Sequence, residues 1–177
     1  MVKSFKTKFK DLIIFERQKH KDKRGHLIEV LRENKIGKKF KFQILSKSKK
    51  HVLRGLHFQL RKPQAKYISV IKGKILDIAV DLRKKSKTFG QVFSIILTDK
   101  NCKSIFIPSG FAHGFLTLEK ENIVYYNCTE YRSIGNEYSL SYKDPHLKIK
   151  LPKTRLIVSK KDANAKNLKE LIEEKII

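Results

Sequence analysis

Hydrophobic and polar residues alternate along several stretches of this chain. The clearest stretch runs from Lys74 to Leu82, with one face formed by Leu76, Ile78, Val80 and Leu82 and the other by Ile75, Asp77, Ala79 and Asp81. A period of two that is rich in β-branched residues predicts a strand. The apolar run Ile68–Ile71 precedes it, and Lys72-Gly73 between the two runs favours a tight turn, so we predict a β-hairpin here.

Further short runs along the chain have the same strand character. They are residues 91–98, 104–107, 115–118, 123–131 and 138–142. Many short strands with little helical periodicity between them indicate a sandwich or barrel. The last stretch differs, because between Ala163 and Ile176 the apolar residues fall at helical spacing, and Asp162 or Asn164 suits a helix cap. We therefore predict one all-β domain over residues 1–177 with a short C-terminal helical tail.

Composition indicates a folded domain that lies outside the membrane. Of the 177 residues, 40% are hydrophobic, which is enough for one core. Charged residues interrupt every apolar run before the ~18 residues that a membrane span needs. The basic start Met1–Lys6 has no apolar segment after it, so we predict no secretory signal. Cys102 and Cys128 lack CxxC spacing and are too few for a disulfide framework, and we expect the reducing cytoplasm.

The chain carries a large excess of positive charge, because 41 Lys and Arg against 17 Asp and Glu give +24. Such a charge suits phosphate binding and raises the question of nucleic acid. The lysines are spread from Lys3 to Lys175, however, and no zinc-finger spacing or RNA-binding aromatic signature accompanies them. We therefore expect solvated loops and no nucleic-acid partner. A milder interpretation is that the field attracts a small anionic substrate such as a sugar nucleotide.

The segment His51–Gln59 places polar side chains inside an apolar run. Burying Arg54 is costly unless an anion or a carboxylate pairs with it. Gly55 lies between Arg54 and His57 and permits a bulge that aims both side chains into one cavity. The alternative is a surface strand whose polar side faces water.

Two further segments hold reactive side-chain types. His113 lies among small residues and two aromatics, and it suits either a core position or a ligand. The chain has no His-x-His pair of the kind that metal-binding barrels use, so we predict no metal site. Within Tyr125-Tyr126 one ring points inward, where it is either a packing residue or a proton donor for an anion-forming substrate. Asp162 suits a helix cap.

Six motifs occur in the order that one known family has. They are Asp22–Gly25, Val52–Gln59, Asp77–Arg83, Ile107–Phe115, Lys143–Pro145 and Ser159–Asp162. Together they resemble the dTDP-4-dehydrorhamnose 3,5-epimerases over about residues 10 to 165. The resemblance implies a cupin-type jelly-roll barrel that forms a homodimer with exchanged N-terminal strands and needs no metal or organic cofactor. It also implies a role in dTDP-rhamnose and polysaccharide biosynthesis.

The family's reaction accounts for the polar residues in these motifs. Its substrate is a nucleotide-linked 4-keto-6-deoxy sugar, in which hydrogens on C3 and C5 flank a carbonyl group. By the resemblance, His57 is the base, Asp162 orients its ring and Lys66 lies near the C4 oxygen. Tyr126 matches the tyrosine that returns a proton from the other side. The resemblance also places substrate contacts at Arg54, Gln59, His113, Glu137 and Lys161, and contacts to the nucleotide end at Arg24 and Glu29.

The chain departs from the family pattern at three places. The stretch between Gln59 and Lys66 is one residue shorter, and Phe42-Gln43-Ile44 replaces a Gln-x-Asn sequence. His20 and Leu27 replace two phenylalanines that sandwich the thymine ring. All three departures lie on the substrate-recognition side. The alternatives that stay open are a single-centre epimerase or ketoisomerase that acts on another nucleotide-linked 4-keto sugar, and a non-catalytic barrel that binds anions or sugars.

Overall fold

Thirteen strands form most of the regular structure in the computed structural model, which describes residues 2–177. In chain order the strands are β1 (Lys3–Lys6), β2 (Ile13–Glu16), β3 (Lys19–Asp22), β4 (Gly25–Ile28), β5 (Phe42–Lys49), β6 (Leu53–Gln59), β7 (Lys66–Lys72), β8 (Lys74–Asp81), β9 (Val92–Thr98), β10 (Lys103–Ile107), β11 (Phe111–Thr117), β12 (Glu121–Cys128) and β13 (Glu137–Ser139). The helices are α1 (Glu33–Ile36), α2 (Lys160–Ala163) and α3 (Leu168–Glu173), with 3-10 turns at Ile134–Asn136 and Pro145–Leu147.

Two antiparallel sheets make up the body of the fold. One has six strands in the order β1-β2-β10-β7-β12-β5, and the other has five in the order β13-β6-β11-β8-β9. β3 and β4 form a separate two-stranded sheet. Apart from β1-β2 and β8-β9, neighbouring strands in the two large sheets are distant in sequence, which is the connectivity of a jelly roll rather than of a meander. The prediction of an all-β fold is confirmed.

A core between the two sheets holds them face to face. The six-stranded sheet contributes Ile68, Ile105 and Val124, and the five-stranded sheet contributes Ile75, Ala79 and Phe115. These side chains are at most 3% exposed. Burying each large one contributes about 1.5–3 kcal/mol, so this contact fixes the distance between the sheets. The space at the end of this core is where a ligand could lie between the sheets.

The C-terminal segment covers the outer face of the five-stranded sheet. Ile78 and Val80 of β8 pack there against Leu147, Leu171 and Ile177. Both faces of β8 are therefore buried, which explains why apolar residues occur on both faces of its alternating pattern. Among residues 2–177 no helix is long and apolar enough to cross a membrane.

The predicted C-terminal helical tail is confirmed, but it consists of two short helices, α2 and α3, and neither Asp162 nor Asn164 is the residue that caps the start of either helix. Each has its own start signal: Ser159 accepts a hydrogen bond from the Asp162 backbone N–H, and Asn167 forms a capping box with Glu170. Between them, the carbonyl of Lys166 accepts a hydrogen bond from the backbone of Ser141. This long-range contact ties the linking residues to the sheet and prevents a continuous helix.

The predicted hairpin of β7 and β8 is also wrong. β7 pairs with β10 and β12 in one sheet, whereas β8 pairs with β9 and β11 in the other. Gly73 turns the chain between them with φ of +88°, and a β-carbon at this position would collide with the carbonyl oxygen of Glu121. Because long-range partners occupy both edges of β7, the turn leads from one sheet to the other.

Candidate active site

A cavity of about 630 Å³ opens between the two sheets at one end of the core. Its volume lies within the range of about 300–1,000 Å³ that is usual for small-molecule sites. The six-stranded sheet contributes Phe42, Ile44, Lys66, Tyr126 and Cys128 to its lining; the five-stranded sheet contributes Leu53, Arg54, His57 and Glu137; and the segment 157–162 contributes Ile157, Val158, Ser159, Lys161 and Asp162. Val52, Gln64 and Arg132 complete the lining.

An irregularity in β6 brings two polar side chains into this cavity. Residues three apart on a regular strand point to opposite faces, yet Arg54 and His57 both line the cavity. The pairing of β6 with β11 shifts register between His113 and Phe115. Gly55 lies there with φ of +115°, and a β-carbon on it would be only 2.5 Å from the Cα of Gly114. The bulge that Gly55 was expected to permit is therefore present, and only glycine fits this close approach.

A buried carboxylate fixes the imidazole of His57. Asp162 Oδ1 lies 2.6 Å from His57 Nε2, and Asp162 Oδ2 accepts a hydrogen bond of 3.2 Å from the Gly55 backbone N–H. Burial favours the neutral acid, but the hydrogen bonds from His57 and Gly55 outweigh it, and the pKa of Asp162 is lowered. An ionised Asp162 requires the proton on Nε2. Nδ1 of a neutral His57 then carries the lone pair of a base.

Tyr126 lies on the opposite sheet and faces the same cavity. Its ring packs against the core between the sheets, and no hydrogen bond to its hydroxyl is found among residues 2–177. Burial raises the pKa of Tyr126, with the neighbouring Cys128 acting in the same direction and Arg54 and Arg132 acting against it. The phenol is therefore protonated at neutral pH and is free to donate a proton.

Lys66 supplies a cation on the wall that carries Tyr126. It is the cross-strand partner of Cys128, two residues beyond Tyr126 on β12. Burial lowers the pKa of Lys66, and none of the described residues forms a hydrogen bond with its Nζ. Burial also raises the pKa of the Cys128 thiol to about 11, so Cys128 is neutral, and only the more distant carboxylates of Glu137 and Asp77 favour the charged form of Lys66. An unpaired ammonium in this setting suits developing negative charge on a ligand.

The mouth of the cavity contains further cations gathered around Glu137. Glu137 Oε2 accepts hydrogen bonds from Arg132 Nε at 3.0 Å, Arg132 Nη2 at 2.7 Å and Lys161 Nζ at 2.9 Å. Burial raises the pKa of Glu137, but these contacts outweigh it and bring the pKa to about 2. Arg54 Nε donates to Ser48 Oγ at 3.1 Å. The lining thus combines four cations with the carboxylates of Glu137 and Asp162, which makes the cavity net positive.

The chain matches the family model described as dTDP-4-dehydrorhamnose 3,5-epimerase over residues 6–170. The chain belongs to this family. It is 43% identical to the dTDP-4-dehydrorhamnose 3,5-epimerase of Methanothermobacter thermautotrophicus, with 93% of this chain and 94% of that protein covered. It is 40% identical to the enzyme of the same name from Salmonella typhimurium, with 90% of this chain and 92% of that protein covered.

A crystal structure of a dTDP-6-deoxy-D-glucose-3,5-epimerase from Legionella pneumophila, in complex with dTDP-4-keto-L-rhamnose, has the same fold. The TM-score is 0.94 at 38% identity, and the likeness covers 100% of this chain and 97% of that one. The cupin-type jelly roll that the resemblance implied is confirmed. The cavity described above therefore lies in a chain that has both the sequence and the fold of this epimerase family.

Two residues that the resemblance assigned to the nucleotide end lie away from this epimerase cavity. Arg24 is at the turn between β3 and β4, where its side chain is 90% exposed and pairs with Asp22 at 2.5 Å. Glu29 follows β4 and pairs with Arg32, which lowers the pKa of Glu29. Neither side chain lines the cavity of its own chain.

Gln59 and His113 are not among the residues that line the epimerase cavity. His113 pairs with His57 across the β11–β6 ladder, and its Nε2 lies 2.9 Å from the buried carboxylate of Asp77. Gln59 is 7% exposed, and its amide is bonded to the backbone of the loop that follows β12. Among the side chains of residues 2–177, no three His, Cys, Asp or Glu come together as metal ligands.

Ten of the residues that line the cavity had no functional assignment from the sequence, and three of them, Arg132, Phe42 and Ile44, bear on the site. Arg132 lies outside every motif, and no periodicity or spacing signals it. Phe42 and Ile44 stand where the chain departs from the family pattern, and they are the cross-strand partners of Cys128 and Tyr126 on β12. The departure therefore gives the wall beside Tyr126 an apolar rim.

Proposed function

We propose that this protein inverts C3 and C5 of a dTDP-linked 4-keto-6-deoxyglucose, giving dTDP-4-dehydrorhamnose by enolate formation and reprotonation. The observation that carries the proposal is the placement of the His57–Asp162 pair and the Tyr126 phenol on different sheets around one cavity. Inversion requires a base and an acid on opposite faces of the sugar ring, and this arrangement provides both. Family membership supports the same reaction.

Each inversion starts with loss of the hydrogen next to the C4 carbonyl. His57 Nδ1 takes the proton from C3 or C5, and the electron pair moves into the carbonyl to give an enolate. Lys66 stabilises the negative charge on the C4 oxygen. Tyr126 then donates its proton to the same carbon from the other face. The imidazolium and the phenolate return to their starting states by exchange of one proton with solvent, so no atom is gained or lost.

The charged lining of the cavity supports an anionic, nucleotide-linked substrate. Arg54 and Lys161 lie where they can contact the diphosphate, with Glu137 holding Lys161 in place. His113 and Gln59 support the site without lining the cavity, His113 as the cross-strand neighbour of the base and Gln59 through its loop contacts. The overall charge of +24 draws such a substrate toward the cavity.

We also propose an oligomeric state and a cellular location for this protein. We infer a homodimer in which exchange of N-terminal strands brings the β3–β4 hairpin, with Arg24 and the following Glu29, to the cavity of the partner. Two observations support it: the hairpin forms a sheet of its own, and its Leu27 is 68% exposed. Residues 1–177 then act as one epimerase domain in the cytoplasm. Sedimentation of the protein at twice the mass of one chain is the expected result.

Proton NMR in deuterated water tests the reaction and the substrate together. The protein is incubated with dTDP-, GDP- and UDP-linked 4-keto-6-deoxyglucose, with His57→Ala as the control variant. We expect deuterium at C3 and C5 of the dTDP sugar, with inversion at both centres, and no exchange with His57→Ala. Inversion at one centre alone indicates a single-centre epimerase, and binding without exchange of any sugar indicates a non-catalytic barrel. Full exchange by His57→Ala contradicts the assignment of the base.

A further inference from the structure

Arg132 lies in the loop that joins β12 to the 3-10 turn at Ile134–Asn136. The side chain of Gln59 bonds to this loop on both sides of Arg132. Gln59 Nε2 donates to the Tyr131 carbonyl at 3.2 Å, and the Ser133 backbone N–H donates to Gln59 Oε1 at 3.0 Å. Both ends of this buried amide therefore bond to residues that flank Arg132, and Nε2 also donates to the Lys62 carbonyl at 2.8 Å. The backbone on either side of Arg132 is therefore held in place.

The side chain of Arg132 is also fixed, yet part of its hydrogen-bonding capacity is left over. Nε and one N–H of Nη2 donate to Glu137 Oε2. A guanidinium has five N–H donors in a rigid plane, so three donors are not used by Glu137. Because Arg132 lines the cavity, these donors are available to a ligand there.

Exposure places Arg132 at the outer part of the cavity. Its side chain is 59% exposed, against 29% for His57 and 5% for Asp162. If C3 and C5 of a sugar lie between His57 and Tyr126, the diphosphate on C1 extends outward from the reacting carbons. A half-exposed, pre-oriented guanidinium is the side chain best suited to phosphate oxygens.

We propose that Arg132 is a further substrate-binding residue, which donates hydrogen bonds to the diphosphate of the nucleotide sugar, and that Gln59 and Glu137 are its positioning residues. This inference rests on the proposed function, because it takes the ligand to be a nucleotide diphosphate sugar. It gives Gln59 an indirect role in substrate binding, through the loop that carries Arg132. Glu137 then holds both Arg132 and Lys161 toward the diphosphate.

Binding of dTDP separates this role from structural or catalytic ones. Calorimetry gives Kd for dTDP with the wild type, Arg132→Gln, Arg132→Lys and Arg155→Gln; Arg155 is exposed, outside the cavity lining, and its removal changes the net charge equally. We expect Arg132→Gln to raise Kd and KM about 10- to 100-fold with kcat nearly unchanged, since a charge-assisted contact is lost. Arg132→Lys should recover part of the affinity, and Arg155→Gln should match the wild type.

A double-mutant cycle tests the positioning role of Gln59. Gln59→Leu should raise Kd for dTDP in the wild-type background and have little further effect in the Arg132→Gln background, because the two residues act as one unit. Additive effects would overturn the positioning role. Thermal unfolding of each variant separates loss of affinity from loss of fold.

Two outcomes overturn the inference about Arg132 itself. One is a Kd for dTDP in Arg132→Gln equal to that of Arg155→Gln. The other is a loss of kcat with unchanged Kd, which would place Arg132 in the chemical step beside Tyr126. Failure of the proposed function is distinguishable, because it shows as absence of C3 and C5 exchange in the wild type whether or not dTDP binds through Arg132.

Discussion

Replacing Asp162 with asparagine tests whether the buried carboxylate sets the tautomer of His57. The change alters one atom and keeps the shape of a side chain that is 4% exposed. The Gly55 N–H donates to Oδ2, so the amide introduced by the substitution must place its carbonyl oxygen at that position. The NH2 group of this amide then takes the place of Oδ1, which lies 2.6 Å from His57 Nε2.

An amide nitrogen facing Nε2 donates to it, so the ring proton must move to Nδ1. His57 then presents an N–H to the sugar instead of a lone pair, and it cannot act as a base. Losing the charge-assisted bond alone is worth about 1.5–3 kcal/mol, or about 10- to 150-fold in rate. With the wrong tautomer added, we expect kcat for exchange at C3 and C5 to fall roughly 10³- to 10⁴-fold.

The assay is deuterium wash-in at C3 and C5 of the dTDP-linked 4-keto sugar, followed by proton NMR. Asp162→Ala is the matched comparison, because it also removes the carboxylate but leaves His57 free to choose its tautomer. We expect Asp162→Ala to retain more activity than Asp162→Asn, provided that thermal unfolding shows both variants folded. An Asp162→Asn enzyme with more than a tenth of the wild-type rate would refute this reasoning.

Three further predictions follow from other parts of the structure. Lys66→Met should lower kcat about 10²- to 10³-fold and have a smaller effect on dTDP affinity, because the cation acts on the enolate. NMR gives the rate and calorimetry the affinity, and equal losses of kcat and of affinity would contradict this role of Lys66. Burial raises the pKa of Asp81, but hydrogen bonds from Arg83 and nearby hydroxyls bring it to about 2. The stability that this carboxylate contributes is therefore complete above about pH 4 and is lost as pH falls toward 2, so Asp81→Asn should lower Tm at pH 7 and have little effect near pH 2. Gly55→Ala should lower the free energy of unfolding by about 1–3 kcal/mol, measured by denaturation, and reduce deuterium exchange, measured by NMR. A β-carbon at Gly135 meets open space, so Gly135→Ala should change neither quantity.

Local pattern predicted the strands of this protein better than their partners. The alternation from Lys74 to Leu82 corresponds to β8, because side-chain direction along a strand depends only on neighbouring residues. The predicted hairpin failed because β7 has long-range partners on both edges. The division of the C-terminal tail into two helices was missed for a similar reason, since a contact between Ser141 and Lys166 holds the residues between α2 and α3 to the sheet. Pairing energies between distant segments are not visible in any local window.

The catalytic candidates were predictable because the family resemblance extends over the parts of the chain in which they lie. His57, Lys66, Tyr126 and Asp162 were proposed from the resemblance, and the structure brings all of them to one cavity. Arg132 was missed because its role depends on the loop contacts of Gln59 and the charge of Glu137, which only the folded chain brings together. Arg24 and Glu29 lie outside the cavity of their own chain, so their assignment stays a prediction about a dimer.

The stereochemical course of the Tyr126→Phe variant tests the central claim, that the base and the acid act from opposite walls of one cavity. The phenylalanine keeps the packing of the ring and removes only the hydroxyl. With a dTDP-linked 4-keto-6-deoxyglucose in deuterated water, we expect Tyr126→Phe to incorporate deuterium next to the carbonyl with retention of configuration, because His57 both removes and returns the proton. Loss of exchange and loss of inversion in equal proportion would contradict the account.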